Sequence, residues 1–179
     1  MATNAPKAGA VAAPARDQNT QTKVQKITTF LWFDNNAEEA VNFYLSIFKN
    51  SKIIDSTRYG GVAPGPKGSI MTIDFELDGE RFVALNGGPQ FKFSEAISLV
   101  VNCKDQNEID YFWEKLSEGG QKVECGWLKD KFGLSWQIVP EILPQLLAGG
   151  DQKQTDRVMA AVMKMKKLDL AEMQKAAAG

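Results

Sequence analysis

The residues best suited to chemistry lie between positions 125 and 140. A predicted strand over 134–139 contains a serine, a tryptophan and a glutamine, and a second tryptophan precedes it at position 127. Side chains alternate across a strand, so Ser135 and Gln137 share one face while Trp136 takes the other and packs under a helix. An amide both donates and accepts hydrogen bonds, which suits Gln137 to a ligand with a carbonyl or amide group. The alternative is that Gln137 closes a local backbone network.

The absence of histidine limits the chemistry most, since none of the 179 residues is a histidine. This excludes a histidine general base and the Ser-His-Asp and Cys-His arrangements, and it removes the commonest ligand of zinc, nickel and iron. The two cysteines, Cys103 and Cys125, form no CxxC pair, which is typical of a reducing cytoplasm. Cys125 gains access from Gly126, but no nearby cation in the sequence would make it a thiolate.

Composition favours one globular domain. The net charge is -1 and 44% of the residues are hydrophobic. Without a basic block we expect no nucleic-acid partner, and without an apolar run of about 18 residues we expect no membrane span. We predict a cytoplasmic protein in which residues 1–24, rich in alanine and polar residues, form a disordered tail. The tail lacks the apolar region that a signal peptide needs.

Hydrophobic periodicity predicts the same order of elements twice. The first unit, about 25–90, has a strand, a helix and three strands, and the second, about 94–142, repeats this order. Laying one half on the other places Glu39 on Glu108 and Tyr44 on Trp113. The predicted elements are strands over 27–33, 52–59, 70–77, 80–85, 96–102, 122–125, around Trp127 and over 134–139, and helices over 37–49 and 105–118.

A helical extension is predicted over 143–179, after the domain at 25–142. Helices are expected over 140–147, 151–166 and 169–177, and Asp169 with Glu172 resembles a capping box. An apolar stripe runs along the predicted 151–166 helix and the residues just after it: Val158, Ala161, Val162, Met165 and Leu168. The stripe packs either against its own domain or against a second subunit.

Other candidate binding residues lie on the first unit. Trp32 either forms an apolar wall of a pocket or belongs to the core. Thr72 and Asp74 lie on the polar face of the 70–77 strand, which lines a cavity or faces solvent, and Arg81 is expected to pair with an acid across the hairpin. Asn86 opens an Asn-Gly-Gly segment whose backbone amides could meet a ligand, although no helix follows to form a phosphate cradle.

Several segments resemble one family. The motifs are FLWFD (30–34), NGGP (86–89), DKFGLSWQIVP (130–140) and MKMKKLD (163–169). They resemble the PhnB-like subfamily of the glyoxalase/bleomycin-resistance, or vicinal oxygen chelate, superfamily, often labelled "3-demethylubiquinone-9 3-methyltransferase domain". The resemblance implies an α+β fold in which paired βαβββ units form an eight-stranded split barrel, here with C-terminal helices.

The resemblance also implies where a metal would sit. Enzymes of the superfamily hold a divalent metal with one ligand from the first and one from the last strand of each unit. The matching positions here are Gln137, Val83, Thr28 or Thr29, and Ala96 or Ser98. One amide, hydroxyls and an aliphatic group are poor ligands for a transition metal, so we predict no metal and no cofactor.

We therefore predict a metal-free small-molecule-binding protein that forms a homodimer. The alternatives are an enzyme of the superfamily, either of the isomerase or lyase type or the methyltransferase of the label, and a purely structural or regulatory dimer. No glycine-rich strand–loop–helix turn for S-adenosylmethionine is visible. Catalytic residues are not assigned. The predicted ligand-binding residues are Gln137, Ser135, Trp32, Ser98, Thr72, Asp74 and Asn86.

Overall fold

A computed structural model describes residues 25–148 and 151–179. The predicted disordered tail, residues 1–24, therefore lies outside the described residues. No helix in the described part of the chain is both long and apolar enough to cross a membrane.

The first unit builds a four-stranded sheet with one helix. In chain order its elements are β1 (Thr29–Phe33), α1 (Ala37–Ile47), β2 (Ser51–Arg58), β3 (Ile70–Leu77) and β4 (Glu80–Asn86). The strand order is β1-β4-β3-β2, with β1 parallel to β4 and the other pairs antiparallel. The β3–β4 hairpin turns at Asp78 and Gly79, which both have positive φ, as the Asp-Gly pair predicts.

The second unit repeats this arrangement. Its elements are β5 (Ser98–Cys103), α2 (Gln106–Leu116), β6 (Gln121–Lys122), β7 (Trp127–Lys129) and β8 (Ser135–Pro140). The strand order is β5-β8-β7-β6, again with the first and last strands parallel. The predicted fold class, α+β with two βαβββ units, is confirmed, and strand hydrogen bonds stay within each four-stranded sheet.

Among the strands, the boundaries differ most from the predictions at β6. A strand was predicted over 122–125, but β6 ends at Lys122. Cys125 and Gly126 have φ of 59° and 80°, a left-handed conformation that a strand does not accommodate. Helix α2 begins at Gln106 because the Asp105 carboxylate accepts a hydrogen bond from the Glu108 N–H and caps it.

Both sheets bury one face against the two helices. Ile73 and Phe75 of the first sheet and Trp136 and Ile138 of the second belong to one continuous core with α1 and α2. As predicted, Trp136 lies under a helix, and its ring is 5.5 Å from that of Tyr44 in α1, centroid to centroid. The faces that point away from α1 and α2 are called the open faces of the two sheets.

Asp130, in the turn between β7 and β8, joins the two units. Its Oδ2 accepts hydrogen bonds from the Tyr44 hydroxyl at 2.8 Å and from the Trp136 indole at 2.9 Å. Its Oδ1 accepts the backbone N–H groups of Phe132 and Leu134. The side chain is buried, and burial raises the pKa of its carboxyl, while the four donors act in the opposite direction. The carboxylate is therefore satisfied only by groups from both units.

The C-terminal helices form a second, smaller core. They are α3 (Leu143–Ala148), α4 (Gln152–Val162) and α5 (Leu170–Ala178). Val158, Val162 and Leu168 of the predicted stripe pack with Met173 of α5, so this part of the stripe is buried within its own chain. The C-terminal region contacts the second unit through the turn at Cys125 and Gly126. A domain boundary at residue 143 therefore stays a prediction.

The buried Cys103 thiol predicts a dependence of stability on alkaline pH. Burial, assisted by the nearby carboxylates of Glu108, Asp105 and Glu141, raises the pKa of Cys103 to about 12. Between about pH 9 and 12 the unfolded chain releases a proton that the folded chain keeps, so stability falls as pH rises, by about 1.4 kcal/mol per pH unit from this group. Cys103→Ala is expected to remove that component.

Urea unfolding at pH 8.5, 9.5 and 10 measures this slope. Val101→Ala is the control. It removes buried apolar volume from the same strand but no titrating group, so we expect it to lower stability while keeping the slope. Equal slopes for the wild type and Cys103→Ala would contradict a raised thiol pKa.

Candidate functional site

Gln137 lies at the centre of the open face of the second sheet. In the register of the strands it is flanked by Val100 of β5 and Trp127 of β7. Its amide nitrogen donates a hydrogen bond of 2.9 Å to the Ser98 hydroxyl oxygen. This leaves the carbonyl oxygen of Gln137 and the hydroxyl proton of Ser98 for another partner. The two predicted site residues thus form one hydrogen-bonded pair, on adjacent strands that run in parallel.

Ser135 lies beside this pair with an unsatisfied hydroxyl. Its cross-strand neighbours are Ser98 on one side and Lys129 on the other. The residue is 1% exposed, and its Oγ is the one buried polar side-chain atom without a hydrogen-bond partner among residues 25–148 and 151–179. A buried hydroxyl without a partner costs about 1–3 kcal/mol, because it has lost its water. Such a group calls for a structural or functional explanation.

Lys129 and Glu95 form an ion pair at the edge of this row. The ammonium of Lys129 contacts the carboxylate of Glu95, which precedes β5. The hydrogen bond from Lys129 lowers the pKa of the Glu95 carboxyl. The Glu95 side chain is 63% exposed, so solvent screens the pair and the attraction between the two charges is weak. Sequence reasoning missed both residues, because the position of Lys129 next to Ser135 follows only from the β7–β8 register.

The open face of the first sheet carries polar pairs. The Asp74 carboxylate accepts two hydrogen bonds from the Arg81 guanidinium, one of them 2.8 Å from Nε, as predicted for an acid–arginine pair across this hairpin. The hydrogen bond to Asp74 raises the pKa of Arg81. The Thr72 hydroxyl is 2.6 Å from that of Thr57 in β2. Thr72 and Asp74 are therefore half-buried and engaged with neighbouring strands.

Trp32 lies on the open face of the first sheet, at the edge strand β1. Its indole N–H donates to the Gly88 carbonyl at 2.8 Å, and its ring meets Phe91 edge-to-face with centroids 4.9 Å apart. A Cβ on Gly87 would lie 2.3 Å from the indole ring, so the glycine allows this approach. Trp32 is half-buried and forms an aromatic corner with Phe91, whose side chain is 63% exposed.

Asn86 differs from the other candidates because its side chain is fully engaged on the helix side of β4. Its Oδ1 accepts the N–H of Ala37 at the start of α1, and its Nδ2 donates to the Glu38 carboxylate and the Ile70 carbonyl. It is 5% exposed. These contacts give Asn86 a structural role at the beginning of α1.

The structure thus brings three predicted residues together, Ser98, Ser135 and Gln137. Thr72, Asp74 and Trp32 lie on the open face of the other sheet.

The metal positions implied by the sequence do not suit a metal. Val83 lies next to Phe30 on the open face of the first sheet, and Gln137 lies next to Val100 on that of the second. The donors there are one amide and the Ser98 hydroxyl, which are weak ligands for a transition ion. Within 25–148 and 151–179, no group of three or more His, Cys, Asp or Glu side chains is placed to hold a metal.

Comparison with known proteins identifies the family. A family model described as 3-demethylubiquinone-9 3-methyltransferase matches residues 25–139. The chain belongs to this family. It is a PhnB-like member of the glyoxalase/bleomycin-resistance superfamily, as its motifs predicted. The matched residues cover both βαβββ units and end at β8, so α3, α4 and α5 lie beyond them.

Solved structures agree with this family. The PhnB protein from Bacillus cereus is 39% identical, with a TM-score of 0.59, and the alignment covers 65% of this chain and 99% of that one. Protein PA1353 from Pseudomonas aeruginosa is 21% identical, with a TM-score of 0.55 over 66% of this chain and 98% of that one, and shows the fold alone. No curated protein matches the PhnB-like chain.

Proposed function

We propose that this PhnB-like protein binds a small organic molecule, without a metal ion in the pocket, at the open face of its second sheet. The observation that carries the proposal is the buried, unpartnered hydroxyl of Ser135 beside the Gln137–Ser98 pair. Natural proteins keep few such groups, and those they keep call for a partner. A ligand carbonyl that accepts from Ser135 would supply one.

The surroundings of Ser135 favour a ligand with both polar and flat apolar parts. The Gln137 carbonyl and the Ser98 hydroxyl offer an acceptor and a donor next to Ser135. Trp127 and Val100, on either side of Gln137, present an aromatic and an aliphatic surface. In this proposal the ion pair of Lys129 with Glu95 opens, since the Glu95 side chain is 63% exposed and solvent screens the pair. The free ammonium then favours a ligand with a partial negative charge.

A homodimer completes the pocket in this proposal. Among the described residues, strand hydrogen bonds do not join the two sheets of one chain. A two-fold axis would place the first sheet of one chain opposite the second sheet of its partner. Phe30 of β1 and Val100 of β5 support this arrangement, since both lie on open faces and are 56% and 50% exposed.

A metabolite library screened by thermal shift tests the proposal. A compound at a hundred times its dissociation constant stabilises the fold by about 2.7 kcal/mol, or roughly 5–10 °C in melting temperature at this chain length. We expect Gln137→Leu to abolish the shift, because leucine keeps the volume and removes the amide. Gln174→Leu, the same change on the exposed face of α5, is the control and is expected to keep it.

Two outcomes would contradict the proposal: a library in which no compound shifts the melting temperature, or a shift of equal size in Gln137→Leu. Sedimentation velocity on the same samples is expected to give the mass of two chains. A monomer that still binds the compound would contradict the dimeric pocket.

The methyltransferase reaction named by the family description receives no support from the turns that lead into the helices. Neither Asp34-Asn35-Asn36 before α1 nor Lys104-Asp105 before α2 is glycine-rich, whereas a strand–loop–helix nucleotide site uses glycines for close backbone approach. Isothermal titration with S-adenosylmethionine is expected to show no binding, and micromolar affinity would overturn this view.

A further inference from the structure

Two sulfur atoms meet on the surface between the second unit and the C-terminal helices. The Sγ of Cys125 lies 3.7 Å from the Sδ of Met163, although the residues are far apart in the sequence. Cys125 is half-buried and Met163 is 64% exposed. Neither residue has a part in the proposed binding pocket, and Met163 lies beyond the residues that match the family model.

The backbone holds the two sulfur atoms in this position. The Cys125 N–H donates to the Met165 carbonyl at 2.7 Å, and the Gly126 N–H donates to the Lys166 carbonyl at the same distance. Gly126 has no room for a side chain, because a Cβ would lie 2.9 Å from the Ile138 carbonyl oxygen. The turn and the segment after α4 are thus fixed against each other next to the sulfur pair.

A third sulfur lies one helical turn away. The Met163 N–H donates to the Met159 carbonyl at 2.9 Å, so the two methionines follow each other on one helix face. Met159 is 39% exposed. A methionine kept for packing is buried, as Met173 of α5 is, with no exposed surface. Met159 and Met163 instead present flexible thioethers to solvent beside a thiol.

We propose that Cys125 and Met163, with Met159 as a third ligand, form a binding site for a soft monovalent metal ion, Cu(I). Thiolate and thioether are soft ligands, which favour this ion over magnesium. With metal–sulfur bonds of about 2.3 Å, two ligands at a tetrahedral angle lie about 3.8 Å apart, which matches the observed separation. Binding replaces the thiol proton with the metal, so one proton is released and no electron is transferred.

Competition with a coloured Cu(I) chelator tests this site. The full chain is titrated anaerobically with Cu(I) as its acetonitrile complex in the presence of bicinchoninate, and we expect it to remove one equivalent from the chelator. Cys125→Ser is expected to weaken affinity at least about 100-fold, and Met163→Leu about 10-fold, because each removes one soft ligand at nearly constant volume. Absorption spectroscopy at the copper edge is expected to show sulfur ligands only.

The control is Cys103→Ala, which removes the buried thiol and is expected to keep the wild-type affinity. Far-UV circular dichroism checks that each variant is folded, and Ag(I), which has no redox chemistry here, is expected to give the same order of affinities. Retention of Cu(I) by Cys125→Ser, or a wild type that takes no metal from the chelator, would overturn the site.

Discussion

Replacing Asp130 with alanine is expected to lower the free energy of unfolding by about 3–5 kcal/mol. The change removes the acceptor of four hydrogen bonds and leaves their donors buried. Two of those donors are side chains, Tyr44 from α1 and Trp136 from β8. Unsatisfied buried donors cost their full desolvation, and here they lie at the junction of the two units. Urea unfolding followed by tryptophan fluorescence measures the loss.

Two further variants locate the source of this effect. Tyr44→Phe removes one donor and keeps the ring, so we expect a smaller loss of about 1–2 kcal/mol. Asp156→Ala, at an exposed aspartate that accepts one hydrogen bond from Gln152, is the control and is expected to change stability by less than about 0.5 kcal/mol. If Asp130→Ala lost less than about 1 kcal/mol, the junction would not depend on this carboxylate.

Replacing Ser135 with alanine is expected to stabilise the free protein by about 1 kcal/mol and to abolish ligand binding. The hydroxyl is buried without a partner, so its removal relieves an unfavourable desolvation. The same hydroxyl is the donor that the proposed ligand would accept from. Stability and function therefore change in opposite directions, a combination that a purely structural serine would not give.

Ser117→Ala is the matched control for that prediction. Ser117 is also buried, but its hydroxyl donates to the Trp113 carbonyl at 2.6 Å. Its removal is expected to destabilise the protein by about 1 kcal/mol and to leave ligand shifts intact. Thermal and urea unfolding compare the two serines directly. A loss of stability in Ser135→Ala would show that its hydroxyl already has a partner.

Local patterns in the sequence were sufficient for the fold. Strict alternation over 70–77 identified β3 and its polar face, and the Asp78-Gly79 pair identified the hairpin, since few dipeptides accept positive φ. The repeated order of elements predicted the two units. The predictions were less accurate where a left-handed residue broke a strand, as at Cys125, because cysteine carries no local signal for that conformation.

The candidate site was only partly accessible to such reasoning. Alternation along one strand placed Ser135 with Gln137, and the family pattern pointed to Ser98. Asn86 was grouped with them because it opens an Asn-Gly-Gly segment, yet tertiary contacts with Ala37 and Glu38 engage its amide. The engagement of an amide depends on which helix end lies above it, and sequence spacing does not encode that.

By itself, the sequence determined the two units, the side chains of each strand that face the core and the absence of imidazole chemistry, because these follow from periodicity and residue type. Only the tertiary structure decided which polar groups are satisfied. Asp130 accepts four hydrogen bonds, the Ser135 hydroxyl has no partner among the described residues, and Cys125 contacts Met163. Each outcome depends on segments that are distant in the chain and become neighbours only when sheets and helices pack, so burial and partners cannot be read from local sequence.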